Sequence, residues 1–366
     1  MRRLGVKAAL VDGHLVEGDL GVADGTVAAV GLQPAGRTGL AVPGFVDAHV
    51  NGFAGVDFLA ADAEGYARAG AALAATGVVA YQPTFITSPV DRYAAALAQV
   101  AALDGLAGPR PIGVHLEGPF ISERWVGAHD PAHLLAPDVE VAGRLCDAGP
   151  VTMVTLAPEL PGALELVERL TARGVVVSCG HSDADAAAAH AAYNRGARAV
   201  THVYNAQRRW SPRDPGLAGV ALVRGGVTVM AIVDLVHLAP EAALAACRLT
   251  GERFCLVTDA IEATGLGPGR YRLGDRTVLV DGGQARLADG RLAGAVLTMD
   301  QAVRNLVQLG VELGEAVHAA TRAPARLLKR ADLGRLGPGT PAHLAVLDES
   351  LHVARTLVGG EECHAA

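Results

Sequence analysis

Between Pro43 and about residue 260 the sequence switches repeatedly between two hydrophobic patterns. Short apolar runs (GFVDAH, VVAYQPTF, IGVHLEG, VTMVTLAPE, VVVSCGH, ARAVTHVYN, VTVMAIVD and FCLVTDA) alternate with Ala-rich stretches such as AEGYARAGAALAATG, DRYAAALAQVAAL, ALELVERLTARG and PEAALAACRL. Runs that are this short and apolar read as strands buried on both faces, and the longer segments between them as helices. Eight such units predict an α/β fold, a closed (β/α)8 TIM barrel over residues 43–335. An open doubly wound sheet is the alternative. It lacks a Gly-rich dinucleotide turn after an early strand, and the polar residues close many strands, as in a barrel whose strands converge on one mouth.

The chain ends follow a different pattern. Residues 1–42 alternate short apolar pieces with Asp12-Gly13 and Asp24-Gly25, dipeptides suited to the positive φ angles of two-residue hairpin turns. Residues 336–366 read the same way, and each end is too small to bury a core alone. They are expected to combine into one small β-sandwich domain. After Asp259 a Gly-rich insertion with alternating apolar residues predicts hairpins near the mouth, and helical spacing returns at MDQAVRNLVQLG and LGEAVHAATRAPARLL, with Pro324 expected to start a further turn of helix.

Composition narrows the function classes. The 366-residue chain is 51% hydrophobic and 19% charged, without an apolar run long enough to span a bilayer, so no membrane association is expected. A net charge of -7 with scattered arginines argues against a nucleic-acid surface. Five widely spaced cysteines and an N-terminus without a secretory apolar segment lead to the expectation of a reduced, cytoplasmic protein.

The chemistry gathers at strand ends. His115 and Glu117 fall two apart before Gly118-Pro119, so they share a strand face, while His181, His202 and Asp259 close three further strands. One carboxylate and two imidazoles, Glu117, His181 and His202, suit a divalent metal with open positions. A lone His is more often a hydrogen-bonded core residue, but three aligned candidates favour a metal site. Lysine occurs only at positions 7 and 329, so a carboxylated barrel lysine is excluded and Glu117 must supply the anionic ligand. Asp259 reads as a general acid/base or, equally, as a helix cap or a fourth ligand. Cys179 shares the strand face of His181 and reads as a buried small apolar side chain.

The segments PGFVDAHVNG, HLEGPF, GAH, TLAPE, GHSDA, THVYNA, PGLAG, VTDA and AGAVLTM, in this order from residue 43 to 299, resemble the N-acetylglucosamine-6-phosphate deacetylases of the amidohydrolase superfamily. The resemblance spans nearly the whole chain. It implies a metal-dependent barrel with a β-sandwich that hydrolyses the N-acetyl group of N-acetyl-D-glucosamine 6-phosphate, a small phosphorylated amino sugar, in a homodimer. Glu117, His181 and His202 match the metal ligands and Asp259 the catalytic aspartate. Ala128, His129, Asn205, Ala206, Asp234, His237, Leu292, Ala293 and Gly294 match substrate-contacting segments, and Arg213 the arginine associated with the phosphate.

The family's Asp-Gly-x-His appears here as Asp234-Leu235-Val236-His237, Ala295 replaces a usual Ser, and Gln207 a common Met. Two-metal relatives carry His-x-His where this chain has His49-Val50-Asn51. One divalent ion per chain is therefore expected, zinc first, with iron, manganese or cobalt as alternatives, and His49 in a secondary role or a weak second site. The alternative functions are an amidohydrolase of another N-acyl or cyclic amide, and a catalytically silent barrel that acts as an interaction partner.

Overall fold

The computed structural model describes residues 1–366. Eight parallel strands, Phe45–Val50, Val78–Ile86, Val114–Glu117, Val151–Leu156, Val176–Cys179, Ala199–Val200, Thr228–Ala231 and Phe254–Leu256, pair each with the next. The ring closes just past the strand ends. Asp259 N donates to His49 O at 2.9 Å, Asn51 N donates to Ala260 O at 2.8 Å, and Val50 bridges Ala260 in parallel. The (β/α)8 barrel expected from the alternation is what the chain builds.

The helices form because each offers an apolar stripe to the strands. Ala163–Ala172 buries Ala163, Leu166, Val167 and Leu170, the spacing of one helical face, and turns Glu165 and Arg169 outward. Asp62, Asp138 and Asp185 begin three other helices, their carboxylates accepting the first orphan N–H groups. Pro324 differs from expectation. The last helix, Arg322–Leu327, starts two residues earlier, and proline is tolerated there because a first-turn N–H has no intrahelical partner.

Strands from both chain ends share one six-stranded sheet, in the order 361–365, 353–358, 344–347, 40–43, 8–11 and 14–17. A three-stranded sheet of residues 2–3, 19–23 and 26–32 packs on it through Leu4, Val6, Leu20, Val27, Leu344 and Val346. Asp12 and Asp24 adopt the positive φ values, 47° and 50°, that the Asp-Gly turns require. The insertion after Asp259 folds into antiparallel strands Gly269–Leu273, Arg276–Asp281 and Gln284–Arg286, which share a small core with Ile86, Ile261 and Ala293 beside the barrel mouth. No helix is long and apolar enough to cross a membrane.

Candidate active site

Glu117 is the last residue of its strand, while His181, His202 and Asp259 lie beyond theirs in the left-handed region, at φ 47°, 28° and 50°. The chain turns sharply there, which aims each side chain across the mouth, and backbone of this kind costs about 1–3 kcal/mol per residue unless the surroundings enforce it. The side chains converge. Glu117 Oε1 lies 2.9 Å from His202 Nε2 and 3.1 Å from His181 Nε2, and the two imidazole nitrogens are 3.1 Å apart. On the other carboxylate oxygen, Oε2, His129 Nε2 approaches to 3.3 Å and His49 Nε2 to 3.6 Å.

Hydrogen bonds decide which nitrogens can ligate. His181 Nδ1 faces the Trp125 carbonyl at 2.9 Å, which can only accept, so Nδ1 carries the proton and Nε2 presents a bare lone pair. His129 is the reverse. Its Nδ1 accepts the Thr87 amide at 3.1 Å, so Nε2 carries the proton and turns it toward the Glu117 side of the cluster, 3.3 Å from Oε2. Of the two triads that share Glu117 and His181, one completed by His129 and one by His202, the second therefore has the right donor atoms. A lone pair of His181 pointed at the Glu117 carboxylate oxygen, 3.1 Å away, repels it unless a cation lies between them. The residues present thus fit a divalent ion.

The electrostatics agree. Burial would raise the Glu117 carboxyl, yet His49 and His181 hold it well below the usual carboxylate range, and Asp259 is lowered in the same way, chiefly by His49 against burial. Burial would pull the His49 imidazole down, but the carboxylates of Glu117 and Asp259 push it up to about 10. Asp259 Oδ1 is fixed by the Asn51 amide at 2.6 Å, with His49 Nε2 at 3.2 Å but off the line of a hydrogen bond. Beneath the cluster, Asp47 accepts the Thr258 hydroxyl at 2.5 Å, and burial raises its carboxyl to about 6.

A cavity of about 360 Å3 opens over these groups, within the size range of small-molecule sites. Ala128, His129, Asn205 and Ala206 line it, together with His237, Leu292 and Gly294. Asp234 lies behind, accepting His237 Nδ1 at 2.7 Å, and Ala293 is buried in the insertion's core. His49 sits below the floor, fully buried. Arg213 is exposed and does not line the cavity. A larger cavity, about 820 Å3, opens at the opposite end of the barrel beside Pro43 and Phe254, and holds none of the cluster.

The sequence reading passed over Asn51 as a partner of Asp259, His129 as a partner of Glu117, and the cavity-lining Arg124, Trp125 and Arg291. Only Asn51, on one strand face with His49, carried a readable signal. Gly127 presses on the cluster from above. At φ 60° it lies so near His181 that an added Cβ would stand 3.0 Å from Cε1, so any other residue there would be strained and would push on the imidazole.

A parallel barrel with convergent carboxylate and imidazole groups at its C-terminal mouth is the arrangement of a metal-assisted hydrolase. The chain belongs to the amidohydrolase family, whose profile matches residues 40–363. It is 40% identical to human N-acetylglucosamine-6-phosphate deacetylase over 337 residues, 87% of this chain and 82% of that protein. It is 35% identical over 370 residues to N-acetylgalactosamine-6-phosphate deacetylase of Escherichia coli O157:H7, covering 98% of this chain and 97% of that one. Among solved structures it is similar to a mutant N-acetyl-D-glucosamine-6-phosphate deacetylase from Mycobacterium smegmatis in complex with N-acetyl-D-glucosamine-6-phosphate. That match has a TM-score of 0.92 and 36% identity, over 98% of each chain.

Proposed function

We propose that the protein hydrolyses N-acetyl-D-glucosamine 6-phosphate to D-glucosamine 6-phosphate and acetate. The observation that carries this reading is the pairing of the Glu117, His181 and His202 cradle with an Asp259 whose second oxygen, Oδ2, has no hydrogen bond within the chain. The relatives' shared substrate class supplies the sugar. Glu117, His181 and His202 would hold one divalent ion, which acidifies the attacking water and polarises the acetyl carbonyl when bound. Asp259 takes the water's proton on Oδ2 and returns it to the sugar nitrogen, which must be protonated before the C–N bond breaks. Asn51 anchors Oδ1 so that Oδ2 stays aimed at the reacting atoms. His237, held by Asp234, and Arg213 serve the phosphate, while Ala128, Asn205, Ala206 and the 292–294 loop frame the ring.

Two imidazoles and a carboxylate favour zinc over iron, manganese or cobalt. A single ion is supported by Asn51, which spends its N–H on Asp259 where a second imidazole ligand would be needed. The division into a sandwich of residues 1–42 with 336–366 and a barrel of 43–335 belongs to the same reading, as do a homodimer and a cytoplasmic, reducing compartment. Five cysteines without disulfides fit that compartment.

Acetate release measured on N-acetylglucosamine 6-phosphate, its galacto epimer and unphosphorylated N-acetylglucosamine tests the assignment. The first should be the preferred substrate. A preference for the galacto epimer would move the assignment to that sugar, and no release from any would refute it. In the same assay Asp259→Asn should retain its metal by elemental analysis while turnover drops about 10²- to 10⁴-fold. Near-normal turnover would remove Asp259 from the proton-transfer role.

A further inference from the structure

We propose that Asp183 is a positioning residue of the cation site, which keeps His181 in its ligating tautomer by acting through Trp125. The proposal rests on the reading of Glu117, His181 and His202 as the cradle of a divalent ion. A neutral imidazole can carry its proton on either nitrogen, so one nitrogen stays bare for a metal only while the other has an acceptor to donate to. For His181 that acceptor is the Trp125 carbonyl, 2.9 Å from Nδ1. Whatever holds that carbonyl in place therefore sets the ligand.

Trp125 does not hold itself. It ends a single 3₁₀ turn, Glu123–Trp125, which has no side-chain cap, and hydrogen bonds of that geometry are too poorly aligned to fix so short a segment. The turn is gripped instead by the segment that carries His181. Ser122 N, at its start, donates to the His181 carbonyl at 2.9 Å, and at its end the Trp125 indole Nε1 donates to Asp183 Oδ1 at 2.8 Å. The other Asp183 oxygen accepts Arg124 Nη1 at 2.7 Å, but that arginine is 74% exposed, and a screened surface pair contributes little. Asp183 is itself fixed from the barrel. Glu159, just past the strand Val151–Leu156, accepts the Asp183 amide at 2.5 Å and the Ser182 hydroxyl at 2.7 Å. The bonds make a closed circuit, from the barrel strand through Glu159 to Asp183, from Asp183 to the indole, and from the carbonyl of that same tryptophan back to the imidazole two residues before Asp183. Without the Asp183 carboxylate the far end of the turn is untied, the carbonyl can swing away, and Nε2 can take up the proton.

The competing role is a structural one, in which Asp183 only fastens two loops together. The zinc affinity of the metal-free protein, titrated against a competing chelator, separates the two without reference to activity. Asp183→Ala should weaken zinc binding about 10- to 100-fold, the usual scale for losing a partner behind a metal-bound imidazole. Asp183→Asn, whose amide oxygen still accepts the indole N–H, should recover most of that loss. Trp125→Phe removes the N–H alone and should weaken zinc by a similar factor, and the double variant with Asp183→Ala should bind no more weakly than either single one, because both changes cut the same link. Additive losses would overturn the proposal, and so would wild-type zinc affinity in Asp183→Ala with only a lowered urea midpoint. If Asp183→Ala does not fold, Trp125→Phe decides, and an unchanged zinc affinity there overturns the proposal. Wild-type protein that binds no divalent ion would instead refute the cradle itself, and the proposal with it.

Discussion

Asp259 depends on its neighbours for its geometry. Three contacts from two residues at the end of the first strand set it: Asn51 donates to Oδ1 at 2.6 Å, His49 Nε2 stands 3.2 Å from the same oxygen, and the His49 carbonyl receives the Asp259 amide at 2.9 Å. Asn51 therefore does two things. It holds the carboxylate in one rotamer, and it fills with an N–H donor the place where an imidazole lone pair would complete a second cation site of His49, Asp259 and Glu117. Replacing it tests this directly. Asn51→His should raise tightly bound zinc from about one toward two per chain after exhaustive dialysis, since three donors already lie within reach of the new imidazole. Elemental analysis with anomalous diffraction reads the result without reference to activity. A variant that still holds one ion would show that something other than Asn51 limits the metal count.

At the level of elements, the strands were legible because eight apolar runs of strand length recur between helical segments, and the insertion's alternation likewise announced hairpins. The ends of those strands were not. His181, His202 and Asp259 read as the last residues of strands but lie past them at positive φ, a conformation imposed by ring closure and loop packing that no local residue pattern encodes. Partners such as Thr87 for His129 and Gly127 for Arg291 come from distant segments, so spacing carried no trace of them. One departure was visible and kept its meaning. Leu235 stands where a permissive glycine is usual in this segment, and the chain still takes φ 63° there, with Val236 and His237 amides both bonded to Asp234 Oδ1. A left-handed L-residue costs about 1–2 kcal/mol, and glycine returns about half of that as lost chain entropy. Leu235 is 38% exposed, so little packing is lost with it. Leu235→Gly should stabilise the protein by about 0.5–1 kcal/mol, seen as a raised urea midpoint at unchanged slope. A lowered midpoint would mean that the Leu235 side chain contributes more than its backbone costs.

For the molecule as a whole, the point that joins first strand to last is also the point that carries the chemistry, and Asp47 lies under it. Its Oδ1 accepts the amides of His49 and Thr258 at 3.2 and 3.3 Å, and its Oδ2 the Thr258 hydroxyl. These bonds span the closure of the barrel and aim both His49 and the segment that leads into Asp259. The carboxyl is fully buried, and burial outweighs the three donors, raising it from 3.8 to about 6. A carboxyl raised on folding binds its proton more tightly in the folded state. Its contribution is fully present below pH 3.8 and is lost as pH rises through about 6, after which the buried charge is a constant cost. Asp47→Asn removes that titration and can keep the bonds: its carbonyl oxygen takes both amides, its NH2 donates to the Thr258 hydroxyl, and that hydroxyl turns toward the His49 carbonyl at 3.4 Å. The stability of the variant relative to the wild type should therefore grow by about 2 kcal/mol between pH 4 and pH 7.5, with most of the change below pH 6.5. Urea unfolding of both proteins at matched metal loading measures it. A gap that stays constant with pH would show that the donors across the seam satisfy the ionised carboxylate in full, and that closing the barrel over Asp47 costs nothing electrostatically.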